Sequence, residues 1–464
     1  MKRLVAALAA SLLVWAPPAA AQSILRDAET ELLFRDMSVP LIKASGLSPR
    51  DVRVVLVNEE SINAFVAGGQ VVYVHSGTLM NADSANEVQG VIAHEIGHIT
   101  GGHVPLSDRM FTGATGISIL TMVLGLAAIA AGGGEAGAGI LAAGQQAAVG
   151  NYLAFSRQQE ASTDAAGARY LEGAGVSGKG YLSFFGKLQK LEHRYGITRK
   201  MSFMLDHPVS SERIANLTDT LKASPAWNKP SDPALEERFR RVKAKLMGYT
   251  SRPEQTIQKY PDTDTSVYAR YARAYAWHKA GHPDKANAEA DALVAAKPND
   301  PYFLEVKGQI LLESGRPREA LAPLRAATAG ANNDPLIATT FGHALIATED
   351  KANLPEAIKV LRVAVARDDQ NPTAWIQLGT AYEATGDSAR AALATAERHN
   401  LEGNLTLALV SARMAMGGIR PGTPDCLRAQ DIALSSRAAL VKNKKTPDRI
   451  RKDIEGKTLV CAGS

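Results

Sequence analysis

Val91-Ile92-Ala93-His94-Glu95-Ile96-Gly97-His98-Ile99 is the stretch that decides the reading of this chain. On a helix, residues four apart share a face, so His94 and His98 converge on one point with Glu95 beside them. Two imidazoles and a carboxylate are costly to bury in an apolar helix without partners. A zinc ion supplies the partner, and Glu95 is then placed to hold and deprotonate water. The competing reading is two core histidines and an unrelated glutamate. Upstream, Ser84-Ala85-Asn86-Glu87 has the spacing of a capping box, and downstream Gly101-Gly102 ends the helix.

A hydrolytic zinc site needs a third protein ligand and one open position. Working outward, three candidates follow. His103 comes one residue too early for the pattern H-E-x-x-H-x-x-G-x-x-H, whose last position here is Val104, and it reads as a helix-end residue near the site. Glu160 lies in Phe155-Ser156-Arg157-Gln158-Gln159-Glu160-Ala161-Ser162-Thr163-Asp164, four residues before Asp164 and on the same helical face. One of that pair can bind metal while the other accepts a hydrogen bond from a ligand histidine. An ordinary solvated acidic face is the alternative, but flanking alanines favour burial. His207 precedes Ser210-Ser211-Glu212-Arg213-Ile214, a capped helix start. It reads as a hydrogen-bond donor to the transition state, as a fourth ligand that blocks the water position, or as a plain loop histidine.

The compartment follows from residues 1–21. Lys2 and Arg3, an apolar run from Leu4 to Trp15 and Ala19-Ala20-Ala21 have the form of a signal peptide, the alternative being a membrane anchor. Export implies an oxidising compartment, in bacteria the periplasm. There Cys426 and Cys461 are expected to form a disulfide closing the C-terminal tail, with two buried thiols as the alternative. Hydrophobic residues make up 45% and charged residues 21% of the 464, which excludes a mainly disordered chain. Lys+Arg 52 against Asp+Glu 47 leaves +5 with no basic run, so no nucleic-acid partner is expected. Met110–Ser156 contains a single charged residue, Glu135, and is rich in glycine. We expect a helical hairpin over the active-site groove that touches the membrane surface, with a true span or a disordered lid as alternatives.

Arg53–Val57 and Val71–Val74 are β-branched runs bounded by turn residues. From about 266 to 400 an internal repeat appears. Ala274, Gly308, Gly342 and Gly379 step by 34, 34 and 37 residues, and Asn299-Asp300-Pro301 recurs as Asn333-Asp334-Pro335. A 34-residue period with small residues at fixed places is the tetratricopeptide signature, and such arrays bind peptides or proteins. The extra three residues fall in Glu349–Leu354. The expected organisation is a signal peptide (1–21), a metallopeptidase domain (22–223), a linker and connecting helix (224–265), tetratricopeptide repeats (266–400) and a helical tail (401–464). The fold class is mainly α: a zincin-like α+β domain with a small sheet, then an all-α solenoid.

The ordered segments H-E-I-G-H, F-S-R-x-x-E-x-x-x-D and H-P-x-x-x-x-R-I, preceded by Asn63-Ala64-Phe65 and Gly77-Thr78-Leu79-Met80, resemble the HtpX-like and CAAX-prenyl-protease-like zinc metallopeptidases of the gluzincin clan. With the signal peptide and the repeats, the chain is similar over about 22–400 to that family's BepA-like branch. The resemblance implies a periplasmic endopeptidase with chaperone character, one zinc per chain, and misassembled outer-membrane or envelope proteins as substrates. It also implies contact with the outer-membrane assembly machinery through the repeats. It implies His94, His98 and Glu160 as zinc ligands, Glu95 as general base, Asp164 behind a ligand histidine, and His207 and Arg213 beside the site. The chain departs from the family at Ser162-Thr163, where Glu-Ala is common. Zincins commonly hold substrate along a sheet edge, and Gln70–His75 is the expected edge strand, with Val71, Val72 and Tyr73 as its substrate-binding residues. Two other readings compete: a chaperone or adaptor with a largely latent metal centre, and a membrane-embedded protease.

Overall fold

The computed structural model describes residues 24–103, 157–195, 207, 210–443, 451 and 459–462. The signal-like segment and Met110–Ser156 lie outside these residues. Among the described residues no helix is long and apolar enough to cross a membrane. Contacts divide the described residues into two compact units, the first extending to Lys243 and the second beginning at Ala244, with Asp27–Glu29 belonging to the second.

The first unit holds a four-stranded sheet of β1 (Ile24–Leu25), β2 (Arg53–Val57), β3 (Ala64–Ala67) and β4 (Val71–His75), in the order β1-β2-β4-β3. Gly68 and Gly69, at φ 60° and 98°, make the turn between β3 and β4, conformations that glycine adopts at no steric cost. β4 pairs parallel with β2, Arg53 opposite Val71, and antiparallel with β3, Ala64 opposite Val74. Both sides of β4 are therefore taken. The expected edge role of Val71, Val72 and Tyr73 is overturned: their backbone donors and acceptors already serve two neighbours, and Val72 is fully buried. Among the described residues the long free edge is that of β3.

Helix α1 (Ala28–Ala44) precedes β2, and α2 (Ser76–Asn81) follows β4. Helix α3 (Ala85–Gly101) carries the H-E-x-x-H stretch and packs against β3 and β4. Ser84 caps it, its side chain accepting from the Glu87 amide at 3.2 Å, and the Glu87 carboxylate accepts from the Asp83 amide at 2.8 Å. Three more helices of this unit matter below: α4, described over 157–173, α5 (Lys179–Tyr195) and α6 (Ser211–Ala223). Ser210 caps α6, accepting from the Arg213 amide at 3.2 Å. The proline-rich stretch 224–233, expected as a linker, is folded into this unit. Ala226 is buried, and the Ser177 hydroxyl donates to the Trp227 carbonyl at 2.7 Å. Helix α7 (Pro233–Thr250) follows, and its Glu236 accepts from the Ala85 amide at the start of α3 at 2.9 Å.

The second unit is an array of antiparallel helix pairs after α8 (Pro253–Lys259): α9 (Val267–Lys279) with α10 (Pro283–Ala296), α11 (Pro301–Glu313) with α12 (Pro317–Gly330), α13 (Pro335–Ala347) with α14 (Leu354–Arg367), and α15 (Pro372–Ala384) with α16 (Ser388–Leu401). The repeat motif has a local cause. Asp300, Asp334 and Asn371 cap their helices by side-chain oxygens, and proline follows at the first helical position, where its missing N–H costs nothing. The small positions let the paired helices touch. A Cβ at Gly308 would lie 2.4 Å from Leu324, and one at Gly342 2.5 Å from Leu361. The three extra residues form a 3-10 turn at Lys351–Asn353. A further pair, α17 (Leu405–Gly418) and α18 (Pro424–Lys442), continues the array. Cys426 and Cys461 are bonded, as expected, with Cα atoms 6.1 Å apart, and the Ala462 amide donates to the Met416 carbonyl at 3.0 Å.

Candidate metal centre

Glycine brings the site together. On α3, a Cβ at Gly90 would lie 2.6 Å from the Tyr181 backbone, and one at Gly97 would lie 2.9 Å from Thr163. From the other side, a Cβ at Gly180 would lie 2.3 Å from the backbone of Asn86. Helices α4 and α5 can thus press onto α3 at backbone distance, which carries Glu160, Asp164 and Tyr181 up to the histidines.

His94, His98, Glu160 and His207 converge, all four buried. His94 Nε2 lies 3.2 Å from His98 Nε2, and each lies 3.3 Å from His207 Nδ1. Glu160 Oε1 is 3.0 Å from His207 Nδ1 and 3.4 Å from His98 Nε2, while its Oε2 is 3.4 Å from His94 Nε2. These separations test the fit of a metal. Zinc–nitrogen bonds of ~2.05 Å in a tetrahedron give ligand–ligand edges of about 3.3 Å. Three imidazole nitrogens and a carboxylate at 3.0–3.4 Å match that figure, and the donor types suit zinc. Neutral imidazole lone pairs facing one another at this range repel unless a cation or proton stands among them.

The surroundings organise these donors. His94 Nδ1 faces Asp164 Oδ1 at 3.1 Å and the Tyr181 hydroxyl at 2.8 Å, so Nδ1 carries a hydrogen and Nε2 is the nitrogen left to offer a lone pair to a metal. Tyr181 also donates to Asp164 Oδ1 at 2.8 Å. Arg213 joins both carboxylates, Nε to Asp164 Oδ2 at 2.7 Å and Nη2 to Glu160 Oε2 at 2.9 Å, with its guanidinium over the Phe185 ring. Glu95 is fully buried, 3.7 Å from His207 Nε2.

Electrostatics without metal follow from this geometry. Burial opposes charge on His94, but Asp164 and Glu160 outweigh it and raise its pKa to about 9. Burial dominates at His98 and, with the charges of His94 and His207, lowers it to about 3 despite Glu160. Burial also lowers His103. For Glu160, burial works upward, yet His207, His94 and His98 hold it well below the usual carboxylate range. Asp164 behaves likewise through His94 and Arg213. Burial and Asp164 keep the Tyr181 phenol protonated, fit to donate.

The structure thus gathers Glu95, His94, His98, Glu160, Asp164, His207 and Arg213 in one place, and leaves Val71, Val72 and Tyr73 inside the sheet. Tyr181 and Phe185 carry no local signal in the sequence. The only hint is the glycine pair Gly178 and Gly180, which marks a close approach.

Residues 29–221 match the family model described as Peptidase family M48. The chain is similar to the beta-barrel assembly-enhancing protease of Yersinia pestis, 26% identical over 391 residues, which cover 80% of this chain and 76% of that protein. Its likeness to the protein of the same name from Escherichia coli (strain K12) is 25% identity, covering 79% of this chain and 75% of the other. Metalloprotease LoiP of the same strain is 29% identical over 205 residues, 44% of this chain and 75% of that one. Among solved structures, one described as YrrB, a TPR protein with an unusual peptide-binding site, covers 37% of this chain and 90% of its own at 19% identity, with a TM-score of 0.31.

Proposed function

We propose that this chain, which carries an M48-type zinc metallopeptidase in residues 29–221, is a periplasmic endopeptidase that cleaves unfolded or misassembled envelope proteins. The observation that carries the reading is the set of four donors at tetrahedral spacing with the Glu95 carboxylate beside it. Relatives named for beta-barrel assembly point to outer-membrane proteins among the substrates. The signal-like residues 1–21 support the compartment.

In this reading His94, His98 and Glu160 hold zinc. Zinc supplies Lewis acidity, polarising a scissile carbonyl and lowering the pKa of water toward ~7. Glu95 takes the proton of the attacking water and returns it to the leaving amine. Asp164 and Tyr181 fix the His94 ring, and Arg213 balances the two carboxylates it joins. The free edge of β3, beside α3, takes an extended substrate by strand addition in place of β4. The repeat array holds polypeptide before or after cleavage, and its exposed apolar side chains Ile376, Leu407, Val410 and Met414 suit unfolded chains. Contact with the outer-membrane assembly machinery through the repeats, and with the membrane surface through 110–156, belongs to the same proposal.

One observation favours a second state. His207 Nδ1 completes a set of four converging donors, 3.3 Å from His94 Nε2 and from His98 Nε2 and 3.0 Å from Glu160 Oε1, and four protein ligands are the mark of a closed site. We take the geometry as a resting form in which His207 withholds the open position until it swings away, so the chain acts as a binder while closed. Cleavage of casein and of an unfolded porin by wild type, Glu95→Gln and His207→Ala tests both parts. Loss of cleavage in Glu95→Gln and a gain in His207→Ala are expected. Equal cleavage by wild type and Glu95→Gln removes the protease reading, and no gain in His207→Ala removes the resting form.

A further inference from the structure

We propose that His103 is a positioning residue for the zinc site, its neutral imidazole accepting the Nδ1–H of His98 and so holding His98 Nε2 toward the metal. The inference rests on the zinc reading above.

A metal-bound histidine donates its other ring N–H to an acceptor that fixes the tautomer and the ring plane. For His94 that acceptor is Asp164. At His98 the partner is another imidazole: His103 Nδ1 lies 3.0 Å from His98 Nδ1, with the rings edge to face. His98 Nε2 points into the donor cluster, so its hydrogen sits on Nδ1, and His103 Nδ1 must present a lone pair. His103 then carries its hydrogen on Nε2, which faces the Ser162 hydroxyl at 3.5 Å. The Thr163 hydroxyl lies 3.0 Å from His103 Nδ1, and the Gln159 side chain donates to the His103 carbonyl at 3.4 Å.

The backbone is shaped to deliver this ring. Gly102, at φ 62°, reverses the chain at the end of α3 and folds residue 103 back along the last turn. Gly101 leaves the space that the ring fills: a Cβ there would lie 2.3 Å from His103 Nε2. Gly97 lets α4 approach until Thr163 reaches the same ring, which is 8% exposed. An orphan helix-end histidine needs none of these three glycines.

Charge explains why the acceptor is an imidazole. Glu95, Glu160 and Asp164 bring three negative charges, and zinc with Arg213 brings three positive ones. A carboxylate at 103 would add an uncompensated buried charge, whereas a neutral ring accepts the bond and keeps the balance.

The test uses full-length protein with wild type, His103→Ala and His103→Asn, because the asparagine carbonyl oxygen can replace the accepting nitrogen. Zinc affinity is measured by chelator competition, the His98 Nδ1–H by ¹⁵N-resolved NMR of the zinc-loaded protein, and the fold by melting of the metal-free protein. We expect His103→Ala to bind zinc about 10–100-fold more weakly and to lose the His98 Nδ1–H resonance, with metal-free melting little changed. His103→Asn should recover most of the affinity and the resonance. If His103→Ala binds zinc as wild type does, or if Asn and Ala lose affinity and melting temperature alike, the positioning role is refuted and the zinc reading stands. If wild type itself takes up no zinc, both fall.

Discussion

Zinc binding to this site should be proton-linked with a stoichiometry that the geometry sets. In the metal-free protein burial disfavours a charged His94, but Asp164 and Glu160 raise it to about 9. At pH 7 that ring therefore holds a proton that zinc must displace. His98, lowered to about 3 chiefly by burial, is already neutral and releases none. The apparent affinity should then rise about tenfold per pH unit, or about 1.4 kcal/mol, and level off above about pH 9. Chelator competition between about pH 6.5 and 8.5 measures the slope. Asp164→Asn removes the charge that most favours the His94 proton, so its slope should fall toward zero at the upper end of this range. A wild-type slope of zero, or one near two, refutes the assignment of a single displaced proton to His94.

Three further outcomes follow from packing and linkage. Gly342→Ala, whose Cβ would lie 2.5 Å from Leu361, should cost about 1–3 kcal/mol in denaturant unfolding, whereas Gly379→Ala, at 3.4 Å from Ala394, should be neutral or slightly stabilising. Cys426→Ser opens a loop of 35 residues and should lower stability by ~3–4 kcal/mol, with no loss in a reducing buffer that has already opened the bridge in wild type. Glu305 is raised to about 8 by burial, partly offset by Lys245, so the folded state keeps a proton there that the unfolded state releases above about 4.5. Its contribution to stability falls as pH rises through that window, by up to about 1.4 kcal/mol per unit. Denaturation at pH 5 and pH 8 should therefore show a smaller drop in Glu305→Gln than in wild type.

The legible features were those with local causes. His94, Glu95 and His98 share one helical face by spacing alone, and Ser84 and Ser210 announce helix starts because capping is a matter of two or three residues. The 34-residue step survived because the same steric contact, a missing Cβ against a leucine, recurs in successive pairs. What escaped depends on pairing over long distances. β4 looks like any β-branched strand, and only its place between β2 and β3 makes it interior. Tyr181 reaches His94 across 87 positions, with no spacing rule to connect them. The three prolines of 224–233 suggest a free linker, yet Ala226 is buried, which composition does not reveal.

In the proposed function the four-donor centre binds zinc and Glu95 makes it a peptidase. Metal content and cleavage of an unfolded envelope protein, measured on the same preparations of wild type and Glu95→Gln, test it most directly. We predict one zinc per chain in both, and cleavage only in wild type. Zinc-free wild type, or equal cleavage by the two, would contradict the account.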